Sequence, residues 1–259
     1  MENRMPIIIQ GAMEMEIEEL LKLSCIEKEE SINGFKFYFG KIDNYPVIIS
    51  KTDVGIINAS ISTMIAIQKF APIAIINQGI AGSHVDYIHK NDVVIGEKCV
   101  NINAFITDVK NKNEGSDPFT WKFDRRSIEI NCSDILFNLS KAMNMNNYNL
   151  HYGILGSGDI FNREVDRINW IREHKNTLCE DNESIAVYTI CNKLNINCIG
   201  FRTISNNELT QTEEDGATST RANIDKNANK MIFKEFDEVP SKISQKFTYD
   251  FVRKLIKGL

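Results

Sequence analysis

Ile7-Ile8-Ile9-Gln10-Gly11-Ala12-Met13-Glu14-Met15-Glu16 is the stretch on which the interpretation of this chain turns. Three β-branched residues in a row predict a short buried strand, and Gly11-Ala12 closes it with residues small enough to bring backbone against a ligand. Ile17, Leu20 and Leu21 then recur at helical spacing, so the segment is expected to run strand, tight turn, helix. The alternation continues downstream. Tyr45-Pro46-Val47-Ile48-Ile49 is a second apolar run, and past Gly55 the residues Ile61, Met64 and Ile65, with Gln68-Lys69 beyond, predict a helix with one apolar face. Ile73 to Ile76, Val93 to Ile95 and Cys198 to Phe201 have the continuous apolar character of strands covered on both faces. Phe247, Phe251 and Leu255 with Val252, Ile256 and Leu259 predict a closing helix packed on the sheet. A layered α/β sheet is expected, and without a linker, a repeat or a low-complexity tract, residues 1–259 are expected to form a single domain.

Composition excludes several function classes. A chain of 259 residues buries enough apolar surface to need no disulfide or structural metal. Its 30 Lys and Arg against 35 Asp and Glu give a net charge of −5, which offers no attraction to nucleic acid or anionic lipid. No apolar run approaches the roughly 18 residues of a membrane span. The six cysteines form no Cys-x-x-Cys pair and have no histidine at zinc-ligand spacing, so they are expected to be reduced thiols. The start of the chain lacks the basic and apolar regions of a secretory signal, and a cytoplasmic protein is expected. Two polar stretches stand out: residues 110–124, a loop with an aromatic docking end, and Asn206 to Asn223, either a mobile lid or an inert connection.

Chemistry-bearing residues gather where the strands are expected to end. Glu16 follows the first strand, as a general base or as one of several glutamates solvated beside a helix start. Asn77-Gln78-Gly79-Ile80-Ala81-Gly82 follows the Ile73 strand, as a turn or as a place of close approach to a small molecule; it is neither a dinucleotide fingerprint nor a Walker loop. Gly156-Ser157-Gly158-Asp159-Ile160-Phe161-Asn162 ends another apolar segment. Cys179-Glu180-Asp181-Asn182-Glu183-Ser184 places acids at a helix start, for capping or for ribose hydroxyls. Arg202-Thr203-Ile204-Ser205-Asn206 carries the last strand into polar residues, where open α/β sheets bind ligands. Five such segments favour a shared pocket.

In this order the segments resemble the nucleoside phosphorylase and nucleosidase superfamily, most closely the 5′-methylthioadenosine/S-adenosylhomocysteine nucleosidases, across nearly the whole chain. Gly11-Ala12-Met13-Glu14-Met15-Glu16 resembles the family's Gly-Ala-Met-Glu-x-Glu, Asn77 to Gly82 its Asn-x-Gly-x-Ala-Gly, Ser157-Gly158-Asp159 with Phe161 its Ser-Gly-Asp-x-Phe, and Asp181 to Ser184 its Glu-Met-Glu-Ala. The resemblance implies a three-layer sandwich with a central mixed β-sheet flanked by helices. It implies that Glu16 activates water, that Phe161 stacks on a purine with Asn162 beside it, and that Glu183 binds the ribose hydroxyls with Asn182 near the sugar. Ala12, Ile80, Ala81, Gly82, Arg202, Ser205 and Glu208 are the further substrate-binding residues it implies. It also implies a homodimer in which the Asp117 to Phe123 aromatics cover the partner's pocket.

Three positions depart from the family. Asn206 stands where the family has the aspartate that protonates the purine, and an amide is not an acid, although it donates and accepts hydrogen bonds; Glu208 is the nearby carboxyl. Ile80 replaces a serine, and Asn182 a methionine. The expected activity is hydrolysis of the N-glycosidic bond of a purine nucleoside, with Glu16 and Asn206 as the catalytic pair and with no metal or organic cofactor. Phosphorolysis is the alternative, disfavoured because the first two glycine segments lack the cations that hold phosphate. A nucleoside-binding protein without turnover is the third reading.

Overall fold

The computed structural model describes residues 4–143, 147–212, 214–216 and 237–259. The opening segment folds as expected: β1 (Ile7–Gly11) is wholly buried, a single 3-10 turn spans Glu14–Glu16, and α1 (Glu18–Leu23) follows. A hairpin pair that the sequence pattern did not single out comes next, β2 (Cys25–Ile32) and β3 (Phe35–Ile42), leading antiparallel into β4 (Tyr45–Lys51). Then come α2 (Ile56–Phe70), β5 (Ala74–Ser83), β6 (Val93–Asn101), β7 (Phe105–Ile106), β8 (Lys122–Phe123), β9 (Glu129–Asn131) and α3 (Asp134–Ala142). The remainder is β10 (Leu150–Ser157), α4 (Val165–Lys175), β11 (Thr177–Asp181), α5 (Ser184–Leu194), β12 (Asn197–Asn206) and α6 (Glu238–Ile256).

Ten strands form one mixed sheet in the order β11-β10-β6-β12-β5-β1-β4-β3-β2, with β9 on β6. The expected α/β architecture, a mixed sheet flanked by helices, is present. Its central strands β4, β1, β5 and β12 run parallel, which explains their continuous apolar sequences: helices cover both faces. One half of the sheet departs from a flat layer, because β11 also pairs antiparallel with β5 and closes β5, β12, β6, β10 and β11 into a ring. Register shifts between Gly153 and Ile154 and between Ile204 and Asn206 supply the extra twist such closure requires.

Asn77 to Gly82 is a correction to the sequence reading, because it forms no turn and lies within β5. Its glycines have ordinary strand dihedrals and serve to leave room: a Cβ on Gly79 would lie 2.5 Å from Glu16 Oε1. The aromatic end of the 110–124 loop docks on its own chain, with Phe123 stacked on Trp170 and Trp121 against Phe105, leaving Phe119 exposed. Of the Asn206 to Asn223 stretch, residue 213 and residues 217–223 lie outside the described residues.

Helix α6 does more than cover the sheet. Its apolar stripe packs Phe247 and Phe251 edge-on against Phe201, both at 4.9 Å between ring centres. Its polar residues reach the opening turn: Gln245 accepts from Glu19 N at 2.7 Å and Leu20 N at 3.1 Å while donating to Met15 O at 2.7 Å. Ser241 donates to Met15 O at 2.6 Å, and Ser244 to Gly79 O at 3.1 Å. The last helix therefore clamps the turn that carries Glu16. Replacing Gln245 by Leu strands two helix-start amides, so we expect a loss of about 1–3 kcal/mol in a urea titration, with the loss in turnover exceeding what the unfolded fraction accounts for.

Candidate active site

Glu16 is buried at 4% exposure, with both carboxylate oxygens held by backbone amides. Oε2 accepts from Ala12 N at 2.7 Å and Met13 N at 3.1 Å, and Oε1 accepts from Ile80 N at 3.0 Å. Burial pushes its pKa up, against the pull of these amides and of the Arg202 charge. The cradle exists because Gly11 and Gly79 leave no side chain in the way, and because Gln78 donates to Glu16 O at 2.6 Å. Ala12 and Ile80, expected at the site, take part through their backbone.

Behind Glu16 lies an ionic network. Arg202, 1% exposed, donates from Nε to Asp181 Oδ2 at 2.7 Å, from Nη1 to Asn77 O and Phe201 O, and from Nη2 to Asn77 Oδ1 and Ser184 Oγ. All five guanidinium donors are engaged inside the protein. This corrects the expectation that Arg202 binds substrate: it is a positioning residue beneath the pocket. Burial alone would raise Asp181, but the Arg202 charge and hydrogen bonds from Ser184 and Ser157 hold it below the usual carboxylate range. Asp181 also accepts from the amides of Glu183 and Ser184 at 2.8 Å, capping α5.

Glu183 sits at the start of α5, where its Oε1 accepts from Gly55 N at 2.9 Å. Gly55 has φ of 101°, a conformation that favours glycine and directs this amide toward the carboxylate. Burial, with the negative charges of Asp181 and Glu16, pushes Glu183 up to about 8. Asn182, which the resemblance places near the sugar, is buried, and its amide donates to Gly158 O and so ties the loop after β10. Phe161 is exposed on the loop after β10, and the Asn162 backbone and amide both donate to Glu180.

At the other end, Ser205 Oγ lies 3.2 Å from Ala81 O and 2.9 Å from Asn206 Oδ1, and Asn206 Nδ2 donates to Glu208 Oε1 at 3.2 Å. Gly82, opposite Asn206 in the sheet, leaves the floor beside that amide bare. The structure thus brings Glu16, Ile80, Glu183 and Ala12 to one end of the sheet and Asn206, Ser205, Ala81, Gly82 and Glu208 beside it. Sequence reasoning missed Glu180, His84 and Gly55, whose roles depend on strands and loops remote in sequence. Among the described residues no group of His, Cys, Asp and Glu could hold a metal ion, and no helix is long and apolar enough to cross a membrane.

Residues 6–236 match the family model of the phosphorylase superfamily. The chain belongs to the phosphorylase superfamily. Within the superfamily, a 5′-methylthioadenosine/S-adenosylhomocysteine nucleosidase of Buchnera aphidicola is 30% identical over 224 residues, covering 85% of this chain and 91% of that one. The corresponding enzyme of Staphylococcus haemolyticus is 30% identical over 76% of this chain and 84% of its own. A solved Helicobacter pylori nucleosidase of the same name, in complex with a pyrrolidine ligand, shares the fold with a TM-score of 0.75 at 23% identity over 96% of this chain and 98% of that one.

The raised Glu183 pKa gives this superfamily member a pH signature. A carboxyl that titrates near 8 when folded, against an ordinary 4.5, keeps its proton in the folded state across that interval while the unfolded chain has lost it. Folding then takes up a proton, so the stability of the protein should fall as pH rises through the interval and level off above it. Chemical denaturation at pH values spanning the window should show this slope, and Glu183→Gln should flatten it.

Proposed function

We propose that this chain hydrolyses the N-glycosidic bond of purine nucleosides of the 5′-methylthioadenosine/S-adenosylhomocysteine type, releasing base and ribose derivative. The observation that carries the reading is the Glu16 cradle: a buried carboxylate, oriented at both oxygens by three backbone amides and made more basic by burial. A general base needs that combination of fixed direction and raised proton affinity. Glu16 takes a proton from water as the oxygen attacks C1′, and Glu183 accepts from the ribose hydroxyls. Phe161, exposed on the loop after β10, stacks on the face of the purine, with Asn162, Ser205, Asn206 and Glu208 around the base. The names of the relatives support the same chemistry.

Water fits better than phosphate as the nucleophile. The cation whose charge Glu16 feels is Arg202, and its donors are all bound within the protein, whereas the Glu16 and Asp181 carboxylates beside it would repel a phosphate dianion. The same reading takes the chain as one nucleosidase domain that needs no cofactor and works in the cytoplasm as a homodimer. Exposed Val54, Ile57 and Ile61 at the start of α2, near exposed Ile160 and Phe161, support a second copy covering this face. Sedimentation should then report a dimer that Ile57→Asp dissociates.

Glu16→Gln keeps the shape of the cradle and removes the base. We expect kcat on methylthioadenosine or its 6-oxo counterpart to fall by about 10² to 10⁴, and base release by the unaltered enzyme to be indifferent to inorganic phosphate. Near-normal turnover by the variant, or a strict phosphate requirement, would refute the mechanism.

A further inference from the structure

Helix α2 begins without a cap of its own. Its N-cap residue is Gly55, which has no side chain to offer the first helical amides. The φ of 101° and ψ of 157° that aim Gly55 N at Glu183 Oε1 belong to a region that is essentially glycine's alone, so no capping side chain can stand there. The residue that serves the Glu183 carboxylate is therefore the one that leaves the helix start bare. A substitute comes from the loop after β10. Asp159 Oδ1 accepts from Ile56 N at 3.0 Å, and it lies 3.5 Å from where a Cβ on Gly55 would be. The carboxylate thus stands against the place of the missing cap side chain, with its negative charge at the positive end of a 15-residue helix.

Asp159 is itself braced on both sides. Gly158 N donates to Asp181 O at 3.0 Å, Gly158 O accepts from Asn182 Nδ2, and Ile160 N donates to Asn103 Oδ1 at 3.1 Å. These bonds fix the first residues of the loop to β11, to the residue after it and to the segment after β6, so the carboxylate is presented to α2 from a held backbone. Two carboxylates from two loops then take two consecutive amides at one helix start: Glu183 the amide of Gly55, and Asp159 the amide of Ile56. Only the φ and ψ of Gly55 lie between those amides, and glycine resists their rotation least. Fixing Ile56 N is what limits that rotation.

We infer that Asp159 is a positioning residue for the reaction: by capping α2 in place of the side chain that Gly55 lacks, it keeps the Gly55 amide on Glu183 and so orients the carboxylate that meets the ribose hydroxyls. The inference rests on the nucleosidase reading above, from which Glu183 takes its sugar-binding role. Asp159 touches neither sugar nor attacking water and acts through the helix start. Without its acceptor oxygen the Ile56 amide turns to solvent, the glycine between the two amides is free to rotate, and Glu183 loses the backbone donor that opposes the rise in its pKa. The carboxyl then has no fixed direction from which to accept the sugar's hydrogen bonds.

Two variants of the full chain separate the cap from the charge. Asp159→Asn and Asp159→Ala both remove a negative charge, but asparagine keeps an acceptor oxygen for Ile56 N and alanine does not. On methylthioadenosine we expect Asp159→Asn to keep kcat/KM within about threefold of the unaltered enzyme, and Asp159→Ala to fall about tenfold or more below Asp159→Asn. On the 2′,3′-dideoxy counterpart, whose sugar gives Glu183 nothing to hold, that gap should close to under about threefold. An equal gap on both nucleosides is what a general loss of structure produces and overturns the inference, as does Asp159→Ala matching Asp159→Asn on methylthioadenosine. Chemical denaturation across pH gives a readout that needs no turnover. Relative to Asp159→Asn, Asp159→Ala should move the upper end of the Glu183 stability slope to higher pH by about half a pH unit or more, because the lost amide bond is one that lowers this pKa. If the unaltered chain releases no base from methylthioadenosine, the hydrolytic reading fails by itself. The pH shift then decides the positioning role, as it does if the dideoxy nucleoside alone is inert, and an unmoved slope refutes it.

Discussion

A guanidinium with no donor to spare holds this site together. Arg202 is buried among Asp181, Asn77, Ser184 and the backbone of its own strand, and its charge reaches Glu16 and Glu183 as well as Asp181. Three carboxylates gathered at one end of a sheet would repel one another apart or take up protons. One fully bonded cation beneath them keeps Asp181 ionised, so Asp181 in turn fixes the first turn of α5 and thereby Glu183. Removing one member of such a buried pair leaves an uncompensated charge, which is why the network acts as a unit.

From this common base the two functional carboxylates diverge. Glu16 is oriented by three amides and also feels the Arg202 charge, while Glu183 has one backbone donor, from Gly55, and feels both neighbouring negative charges. Similar chemical groups are thus tuned apart by their surroundings: burial raises the pKa of both, and the negative neighbours of Glu183 help to push it up to about 8. Farther along, Asn206 and Glu180 flank Gly82 on the two strands that pair with β5 there.

Much of this was legible in the sequence. The continuous apolar runs at Ile7 and Ile73 betray parallel strands covered on both sides, and Glu16 stands close enough to the first of them to be recognised. The hairpin from Cys25 to Ile42 escaped because β2 is charge-rich and largely exposed, while β3 breaks its aromatic residues with lysine and glycine, so neither carries such a run. The sequence left Asn77 to Gly82 open between a turn and a place of close approach because glycine has two uses, turning the chain and clearing space, and only the neighbouring Glu16 shows which applies. Arg202 looked like a ligand because an arginine in sequence carries no sign of whether its donors are already taken.

The sequence by itself determined the alternation of strands and helices, the end of the sheet where chemistry gathers, and the residue types available there, because hydrophobic period and local spacing are properties of neighbouring residues. Tertiary structure alone decided which of those residues act. The clamp of Gln245 on the Glu16 turn spans more than 220 residues of chain, and the closure of β11 onto β5 brings Glu180 and Asn206 to opposite sides of one glycine. Orientation, burial and proton affinity all depend on such distant partners, and no local stretch of sequence contains them.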